Sequence, residues 1–346
     1  MPYTIKIAAV QMIACPASLS ERLACAETLV VRAAQGGAQL VVLPELFNTG
    51  YEYSDENYRR AESLDGPTST WMKQTANRYS VHIAGTFLRL DGQDIYNTLL
   101  LVAPDGRAWR YDKNYPWAWE RAYFRAGNDV TVADTSLGRL GLMICWDVAH
   151  VDLWARYAGH VDAMVVCSCP PAMHELTVVF PDGNRLRSGD AGPIMRHVKH
   201  TSGGVFSHCL LQQVAYLGVP VVNTTATGVF SSAVPSPKVS LAVYTLARPD
   251  LWKYISQADA VRVETGYYNE TYVADAAGRV LQRVPPEVEA YTLAEVVLAD
   301  TPPQPHGKQP PFGISAFAYW SDAFADWILA SAYRRGIRKV SGISVS

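Results

Sequence analysis

Apolar runs long enough for buried strands alternate with amphipathic helical segments from the start of the chain. The first run, Ile5–Gln11, is followed by a helical pattern over Glu21–Gln35 and by a second apolar run over Gln39–Leu43. Short, continuous apolar runs favour strands that are buried on both faces. Ser20 is placed to cap the helix, and Gly36-Gly37 is placed to end it. This β-α-β order constrains the fold to the α/β class.

Further along the chain, hairpins interrupt the β-α-β rhythm. The pattern predicts a helix from Thr68 or Ser69 to about Tyr79, a strand over Val81–Phe87, a helix over about Ala149–Gly159 and a strand over Ala163–Cys167. Turn residues between apolar runs predict hairpins. The first predicted hairpin joins Ile95–Val102 to Arg107–Tyr111. The second turns at Leu137-Gly138-Arg139, and its return strand carries Cys145. The third joins Thr271–Asp275 to Arg279–Arg283. Such mixed units favour an α/β sandwich with mixed sheets and helices on the outer faces.

Composition limits the partners and the location of the protein. The 346 residues are 49% hydrophobic and 18% charged, which is enough for one large domain or two small ones. A formal net charge of -2 without a long basic run argues against nucleic acid as a partner. No apolar stretch reaches the roughly 20 residues that span a membrane, and the first ten residues lack the features of a signal peptide. We therefore expect a soluble, cytoplasmic protein whose six scattered cysteines are reduced thiols.

Prolines divide the chain near its end. Pro302-Pro303-Gln-Pro305 and Pro310-Pro311 break the pattern, so we expect a main domain over residues 1–300 and a C-terminal extension over residues 301–346. Aromatic and polar residues alternate at helical spacing over Ala316–Arg338. This segment is predicted to be a helix that docks on the body or on a second subunit, and a loosely packed terminal helix is the alternative.

Three polar residues at the ends of strand-like runs predict the chemistry. A thiol such as that of Cys145 can attack a carbonyl or nitrile carbon, a carboxylate such as Glu45 can accept its proton, and an ammonium such as Lys113 can stabilise the oxyanion. Taken singly, these residues have ordinary interpretations as a core cysteine, a solvated turn carboxylate and a surface charge. Their combination predicts a cysteine hydrolase that acts on a carbon–nitrogen bond.

The motifs around these residues resemble those of the nitrilase superfamily of carbon–nitrogen hydrolases. The resemblance covers roughly residues 5–300. It depends on Leu43-Pro-Glu-Leu-Phe-Asn-Thr-Gly-Tyr51, on Tyr111-Asp-Lys113 and on Gly141-Leu-Met-Ile-Cys-Trp-Asp147. Three ordered motifs at family-like separations make this a specific similarity. Relative to the family, His174–Gly204 looks like an enlarged loop.

The resemblance implies a four-layer α-β-β-α sandwich with two mixed sheets, a site at the strand ends and homo-oligomers built from dimers. It implies Cys145 as the nucleophile, Glu45 as the general base and Lys113 as the oxyanion stabiliser. Glu120 matches a second family glutamate that positions the substrate or the lysine, and the backbone N–H of Trp146 would complete the oxyanion hole. No cofactor is implied, because lysine and backbone donors supply the electrophilic help.

Residues beside the motifs have supporting interpretations. Asp147 is expected to hydrogen-bond the turn below Cys145. Tyr51 and Trp119 are expected to contact the substrate. Trp119 belongs to a tryptophan-rich group that hints at an apolar pocket for a hydrophobic or aromatic substrate, although aromatic residues are common in any core; the group is Trp117, Trp119, Trp146 and Trp154. Glu120 has an alternative interpretation as part of an exposed helical turn with a local ion pair.

No metal site is expected. Cys167 and Cys169 are too close together for an ordinary zinc pair and lack a second pair. His197 and His200 could share a helix face, but no carboxylate or cysteine nearby completes a ligand set. All four residues are therefore interpreted without a metal.

The leading function is hydrolysis of a small-molecule amide or N-carbamoyl group, and conversion of a nitrile to an acid and ammonia is the alternative. Cys145-Trp-Asp147 favours the first, whereas Glu120-Arg121, Phe124 and Gly127-Asn-Asp129 resemble the corresponding stretch of true nitrilases. A non-catalytic scaffold with the same fold is a hypothesis of another class. An acyltransferase that passes the thioester to an amine would need a second substrate site.

Overall fold

Two six-stranded sheets form the centre of the molecule. The computed structural model describes residues 2–190, 204–245, 248–311, 326 and 329–338. The first sheet contains, in spatial order, β16 (Ala290–Leu298), β1 (Tyr3–Gln11), β2 (Leu40–Val42), β3 (His82–Asp91), β4 (Asp94–Val102) and β5 (Ala108–Asp112). The second contains β15 (Val280–Arg283), β14 (Tyr272–Ala274), β11 (Val221–Thr224), β8 (Ala163–Cys167), β7 (Gly138–Ile144) and β6 (Val132–Thr135). Parallel pairs, β1–β2–β3 and β11–β8–β7, are flanked by antiparallel pairs, so both sheets are mixed, as predicted.

A smaller sheet accompanies the two large ones. Its four strands are, in spatial order, β10 (Arg185–Arg187), β9 (Thr177–Val179), β13 (Arg262–Thr265) and β12 (Phe230–Ala233). Val178, Phe230 and Val263 of this sheet share a hydrophobic cluster with Tyr51 and Tyr53. The small sheet therefore packs against Tyr51, the last residue of the glutamate motif, and against Tyr53 just after it.

Helices cover the outer faces of the two large sheets. Between residues 2 and 311, the α-helices of the described ranges are α1 (Leu19–Gln35), α2 (Glu56–Arg60), α3 (Pro67–Tyr79), α4 (Val151–Tyr157), α5 (Leu210–Leu217) and α6 (Pro237–Thr245). Short 3₁₀ segments span Ala118–Ala122, Cys145–Ala149, Met173–Glu175, Ser188–Asp190 and Pro249–Ala260, and a π-helical turn spans Val205–Cys209. Helices α1 and α3 pack on the first sheet, and α4 and α5 pack on the second, which gives the expected α-β-β-α order. None of the helices in the described ranges combines the length and apolarity that a bilayer-spanning helix needs.

Side-chain alternation along β1 lets one strand serve two cores. Ile5, Ile7 and Ala9 belong to the cluster between the large sheets, whereas Ala8 and Val10 belong to the cluster beneath α1 and α3. This division follows because successive side chains of a strand point to opposite faces. Complete burial of a side chain such as that of Ile7 contributes about 1.5–3 kcal/mol. The continuous apolar run of the sequence is thus explained by burial on both faces.

The first helix is capped by Ser18 and not by the predicted Ser20. The backbone N–H of Glu21 donates to Ser18 Oγ at 3.3 Å, and the Ser18 N–H donates to Glu21 Oε2 at 3.0 Å. Such a capping box places a Glu or Gln side chain three residues after the cap. Glu21 satisfies that spacing only for Ser18, so the prediction of Ser20 was wrong.

The large elements follow the predictions more closely than the short ones. The three predicted hairpins are present, but the strand expected to carry Cys145 ends at Ile144. The β3–β4 hairpin around Gly92 was not predicted. The prediction of a loop over His174–Gly204 was wrong in part, because β9 and β10 pair within this segment as a hairpin. Residues 191–203 of that loop, which include His197 and His200, lie outside the described residues.

The C-terminal extension contains a helical segment that contacts the first sheet. Residues 329–338 are helical. The buried hydroxyl group of Tyr333 accepts a hydrogen bond from the Ile95 N–H at 2.9 Å and donates one to Asp94 at 3.0 Å. The guanidinium of Arg125 lies 4.2 Å from the Tyr333 ring centroid. Residues 316–325 and 327–328 of the predicted helix lie outside the described residues, and the domain boundary near residue 300 stays a prediction.

Candidate active site

The ends of strands from both large sheets bring the three motif residues into one buried region. Glu45 follows β2, Lys113 directly follows β5, and Cys145 directly follows β7. Their exposed fractions are 2%, 0% and 6%. The interpretations of Glu45 as a solvated carboxylate and of Lys113 as a surface charge are therefore wrong.

Lys113 lies between two carboxylates. Its Nζ donates to Glu45 Oε1 at 2.9 Å and to Glu120 Oε2 at 2.7 Å. Burial alone would lower the pKa of Lys113, but the charges of Glu120 and Glu45 outweigh it and raise that pKa well above its ordinary value. The lysine is therefore a permanent cation inside the protein.

Both oxygens of Glu45 are engaged. Oε1 accepts hydrogen bonds from Lys113 Nζ and from Asn97 Nδ2, the latter at 2.7 Å, and Oε2 accepts one from the backbone N–H of Cys169 at 2.9 Å. The N–H of Glu45 donates to the Ser168 carbonyl at 3.3 Å. Asn97 was not among the predicted site residues, and Cys169 was interpreted only as part of the packing or of the pocket wall. Their positions depend on strand neighbours that are distant in the chain.

Glu120 is part of the same buried network. It lies in the 3₁₀ segment Ala118–Ala122 and is 1% exposed, so the interpretation as an exposed turn is wrong. Its Oε2 also accepts the Trp117 N–H at 2.7 Å, and its Oε1 accepts the Tyr51 hydroxyl at 2.5 Å. Burial raises the pKa of Glu120, and the positive charge of Lys113 opposes that shift. Tyr51, predicted to contact substrate, is thus shown in contact with Glu120.

Cys145 occupies an unusual backbone conformation at the start of a 3₁₀ turn. Its φ angle is +49°, a region that non-glycine residues seldom adopt. Burial raises the pKa of the Cys145 thiol well above its ordinary value; the charge of Glu45 adds to this shift and Lys113 opposes it. This shift favours the neutral thiol over the thiolate. Strained positions of this kind cluster at functional sites.

Asp147 holds the turn that contains Cys145. Its Oδ2 accepts the Tyr111 hydroxyl at 2.8 Å and the Ile144 N–H at 3.2 Å, and its Oδ1 accepts the Tyr115 N–H at 2.8 Å. Burial raises the pKa of Asp147 to about 7, and these hydrogen bonds and the charge of Lys113 act in the other direction. The carboxylate thus connects the residue before Cys145 to the segment after Lys113.

Aromatic side chains adjoin the network. The Trp117 ring meets Trp119 and Trp146 edge to face, with centroids 6.4 and 6.5 Å away, and Trp119 meets Tyr53 at 5.6 Å. Trp119 also lines an apolar cavity of about 10 Å³ between the small sheet and α6. Trp154, in contrast, is completely buried and donates to the Val148 carbonyl, so it belongs to the core.

The described residues hold no group of three or more histidine, cysteine or acidic side chains that could bind a metal ion. Cys167 and Cys169 are both fully buried. All six cysteines are free thiols.

Comparison with known proteins agrees with this architecture. A nitrilase of Pyrococcus abyssi is 34% identical over 147 residues, which are 41% of this chain and 56% of that protein. The chain spans about half the length of the curated relatives it matches. Two solved structures share the fold at 17% identity. They are a carbon-nitrogen hydrolase from Helicobacter pylori G27, with a TM-score of 0.63 over 85% of this chain and 89% of that one, and an amidase from Nesterenkonia sp., with a TM-score of 0.60 over 86% and 91%.

The family model for carbon-nitrogen hydrolases matches residues 6–305, which is most of the chain. This span includes the glutamate, lysine and cysteine motifs, and the resemblance predicted from them is confirmed. The protein belongs to the carbon-nitrogen hydrolase family, within the nitrilase superfamily.

Proposed function

We propose that the protein hydrolyses a non-peptide carbon–nitrogen bond, an amide or an N-carbamoyl group, through a thioester on Cys145. One observation carries the proposal: a buried lysine bridges two carboxylates in the region where a cysteine of unusual backbone conformation directly follows a strand. A neutral thiol needs a base at the moment of attack, and Glu45 is the carboxylate assigned to that role.

In the first half of the reaction, Cys145 Sγ forms a bond to the substrate carbonyl carbon as the thiol proton passes to Glu45. The carbonyl π electrons move to oxygen, and the Lys113 ammonium with the Trp146 N–H stabilises the oxyanion. When the oxyanion collapses, the carbon–nitrogen bond breaks and Glu45 gives its proton to the leaving nitrogen. Ammonia or an amine departs, and a thioester remains.

In the second half, water attacks the thioester carbon as Glu45 accepts a proton from the water. The carbon–sulfur bond then breaks, the proton returns to sulfur, and the acid is released. One oxyanion donor is typically worth about 10²–10³ in rate. Glu120 acts through Lys113, since it accepts a hydrogen bond from the same ammonium that contacts Glu45.

Trp119 and Trp146 are proposed to form an apolar wall for the substrate. Their rings are only partly buried and lie beside the network, in contact with Trp117 or Tyr53. Tyr51 is proposed to act through its hydrogen bond to Glu120, in addition to the predicted substrate contact. We infer a cytoplasmic enzyme, because its free thiols are typical of a reducing compartment. No cofactor is proposed, because Lys113 and backbone N–H groups supply the electrophilic help.

Nitrile hydrolysis is the second candidate, favoured by the similarity to the Pyrococcus abyssi nitrilase. The same sulfur would add to the nitrile carbon, and addition of two waters would yield the acid and ammonia. The amidase from Nesterenkonia sp. is the corresponding support for the first candidate. A non-catalytic scaffold is disfavoured because a scaffold has no need for an intact, buried glutamate–lysine–cysteine set.

The test is release of ammonia and acid from acetamide, benzamide, N-carbamoyl-alanine and benzonitrile. Wild type is compared with Cys145→Ala. Cys25→Ala is the control, because it removes a thiol outside the site, one that donates a hydrogen bond to Glu289. We expect wild type and Cys25→Ala to release product and Cys145→Ala to release none. The class of compound that is hydrolysed decides between an amidase and a nitrilase. Product from Cys145→Ala at the wild-type rate would refute the thioester mechanism.

A further inference from the structure

Asn97 touches the two residues that are central to the proposed reaction. It lies on β4 and is completely buried. Its Nδ2 donates to Glu45 Oε1 at 2.7 Å, and its backbone carbonyl accepts the Lys113 N–H at 2.9 Å. Lys113 Nζ contacts that same Glu45 oxygen at 2.9 Å. One residue thus anchors the base by its side chain and the lysine by its backbone.

The orientation of the Asn97 amide is determined by its partner. An ionised carboxylate accepts hydrogen bonds and donates none, so the NH₂ group and not the oxygen faces Glu45. The amide oxygen of Asn97 is buried without a hydrogen-bond partner among the described residues. A buried polar atom left in this way calls for an explanation. The explanation is that the amide of Asn97 is needed for the hydrogen bond that its NH₂ group donates to Glu45, so the unpaired amide oxygen is tolerated.

We propose that Asn97 is a positioning residue that holds the Glu45 carboxylate in the orientation needed to exchange protons with the Cys145 sulfur, an inference that rests on the proposed function. Three donors from separate segments restrict the carboxylate: the Asn97 amide and the Lys113 ammonium at Oε1, and the Cys169 N–H at Oε2. Without Asn97, Oε1 keeps only the lysine, and the carboxylate can rotate about its χ angles.

A neutral donor suits this position. The site already contains one ammonium and two carboxylates within hydrogen-bond distance. A second cation beside Glu45 would compete with Lys113, and an apolar side chain would leave the carboxylate mobile. An amide adds a directed hydrogen bond without changing the net charge of the site. Small errors in the placement of a catalytic group lower the rate strongly, by about 10²-fold for a displacement of about 1 Å.

Asn223 provides a matched control. It is also completely buried on a strand, its Nδ2 also donates at 2.7 Å, and its Oδ1 also lacks a partner among the described residues. Its acceptor is the backbone carbonyl of Glu270, whereas the acceptor of Asn97 is a carboxylate. Substitution of either residue removes one buried hydrogen bond.

The experiment compares Asn97→Asp, Asn97→Ser and Asn223→Ser with wild type and Cys145→Ala on an amide or nitrile that wild type hydrolyses. Asp keeps the shape of Asn but replaces the donor with an acceptor, and Ser is too short to reach Glu45. For Asn97→Ser we expect kcat to fall about 10–100-fold with KM within about threefold, because the group acts in the chemical step. Asn97→Asp should lose more, and Asn223→Ser should keep kcat within about threefold.

Thermal unfolding of each variant separates folding from positioning. If Asn97→Asp does not fold, Asn97→Ser decides by itself. A wild-type kcat in folded Asn97→Ser, or equal losses of kcat in Asn97→Ser and Asn223→Ser, would overturn the inference. Undiminished activity of Cys145→Ala would instead refute the proposed function, so the two failures are distinguishable.

Discussion

The hydroxyl group of Tyr111 donates a hydrogen bond of 2.8 Å to Oδ2 of Asp147, and both side chains are buried. The tyrosine comes from the first large sheet, and the aspartate follows the second. Two backbone N–H groups, of Ile144 and Tyr115, donate to the same carboxylate. This contact therefore connects the two sheets at the end where Lys113 and Cys145 emerge.

The pKa of Asp147 predicts a pH-dependent contribution to stability. Burial raises that pKa from 3.8 to about 7, so between these values the folded state binds more protons at this site than the unfolded state. The wild-type free energy of unfolding should therefore fall as pH rises through that window, by up to about 4 kcal/mol from this group. Above about pH 7 the contribution stays constant.

Asp147→Asn removes this group's pH-dependent contribution to the free energy of unfolding, and it replaces one carboxylate oxygen, a hydrogen-bond acceptor, with an NH₂ group. Its NH₂ group would face a backbone N–H, which costs about 1–3 kcal/mol. Urea unfolding at several pH values should show a stability gap between wild type and variant that narrows as pH rises from about 4 to about 7. A gap that is constant with pH would contradict the raised pKa.

Glu120→Gln tests the second carboxylate of the lysine network. Gln keeps the size of the side chain but removes the negative charge of the second carboxylate that contacts Lys113. We expect kcat/KM to fall about 10²–10³-fold, the range seen when one stabilising donor is lost. Glu62→Gln is the control, since burial also raises the pKa of Glu62 while its partners are Asn48 and Thr68. Equal losses in the two variants would indicate a general effect of burial.

Tyr51→Phe removes the 2.5 Å hydrogen bond to Glu120 together with a 3.3 Å hydrogen bond between the Tyr51 and Tyr53 hydroxyl groups. The ring and its edge-to-face contact with Tyr53 remain, so the loss of stability should be about 1 kcal/mol. We expect kcat to fall about tenfold, because Glu120 loses one of the groups that orient it towards Lys113. Tyr272→Phe, which removes a buried bond of 2.8 Å to the Phe206 carbonyl, should lower stability similarly and leave kcat unchanged. Unchanged kcat in Tyr51→Phe would limit Tyr51 to a packing role.

Trp119→Ala tests the apolar wall. Trp119 contacts Tyr53 and Trp117 and also lines a cavity of about 10 Å³, about the volume that one water molecule needs. Removal of the indole enlarges this cavity, so kcat/KM for bulky aromatic substrates should rise relative to that for small ones. The ratio is measured with benzamide and acetamide, or with the corresponding nitriles. An unchanged ratio would show that Trp119 does not contact the substrate side chain.

The sheets and the glutamate, lysine and cysteine motifs were predictable because their signals are local. The central strands are apolar runs; Cys145 directly follows such a run, and Glu45 lies three residues after the end of another. The partners of these residues are determined by pairings between distant segments. Asn97 lies on β4, 52 residues after Glu45, which follows β2. The two side chains meet because β2 and β4 both neighbour β3 in the sheet.

The small sheet was missed for a related reason. Its strands are three or four residues long, too short to show the period of a half-buried strand. Strand β9 pairs with β13 more than 80 residues later in the chain, and no turn signal marks that pairing. The loop interpretation of this segment therefore followed from short length and missing periodicity, whereas tertiary contacts determine the fold there.

The C-terminal extension supplies the last prediction. Tyr333 contacts Ile95 and Asp94 of the same chain, and we propose that the extension also contributes to a homo-oligomer. Removal of residues 301–346 should therefore lower the oligomer mass measured by light scattering, and it should lower stability because the contacts with β4 are lost. Tyr333→Phe is the control for the second effect, since it removes two hydrogen bonds worth about 0.5–1.5 kcal/mol each and retains the helix. An unchanged mass after truncation, with stability reduced as in Tyr333→Phe, would restrict the extension to docking on its own chain.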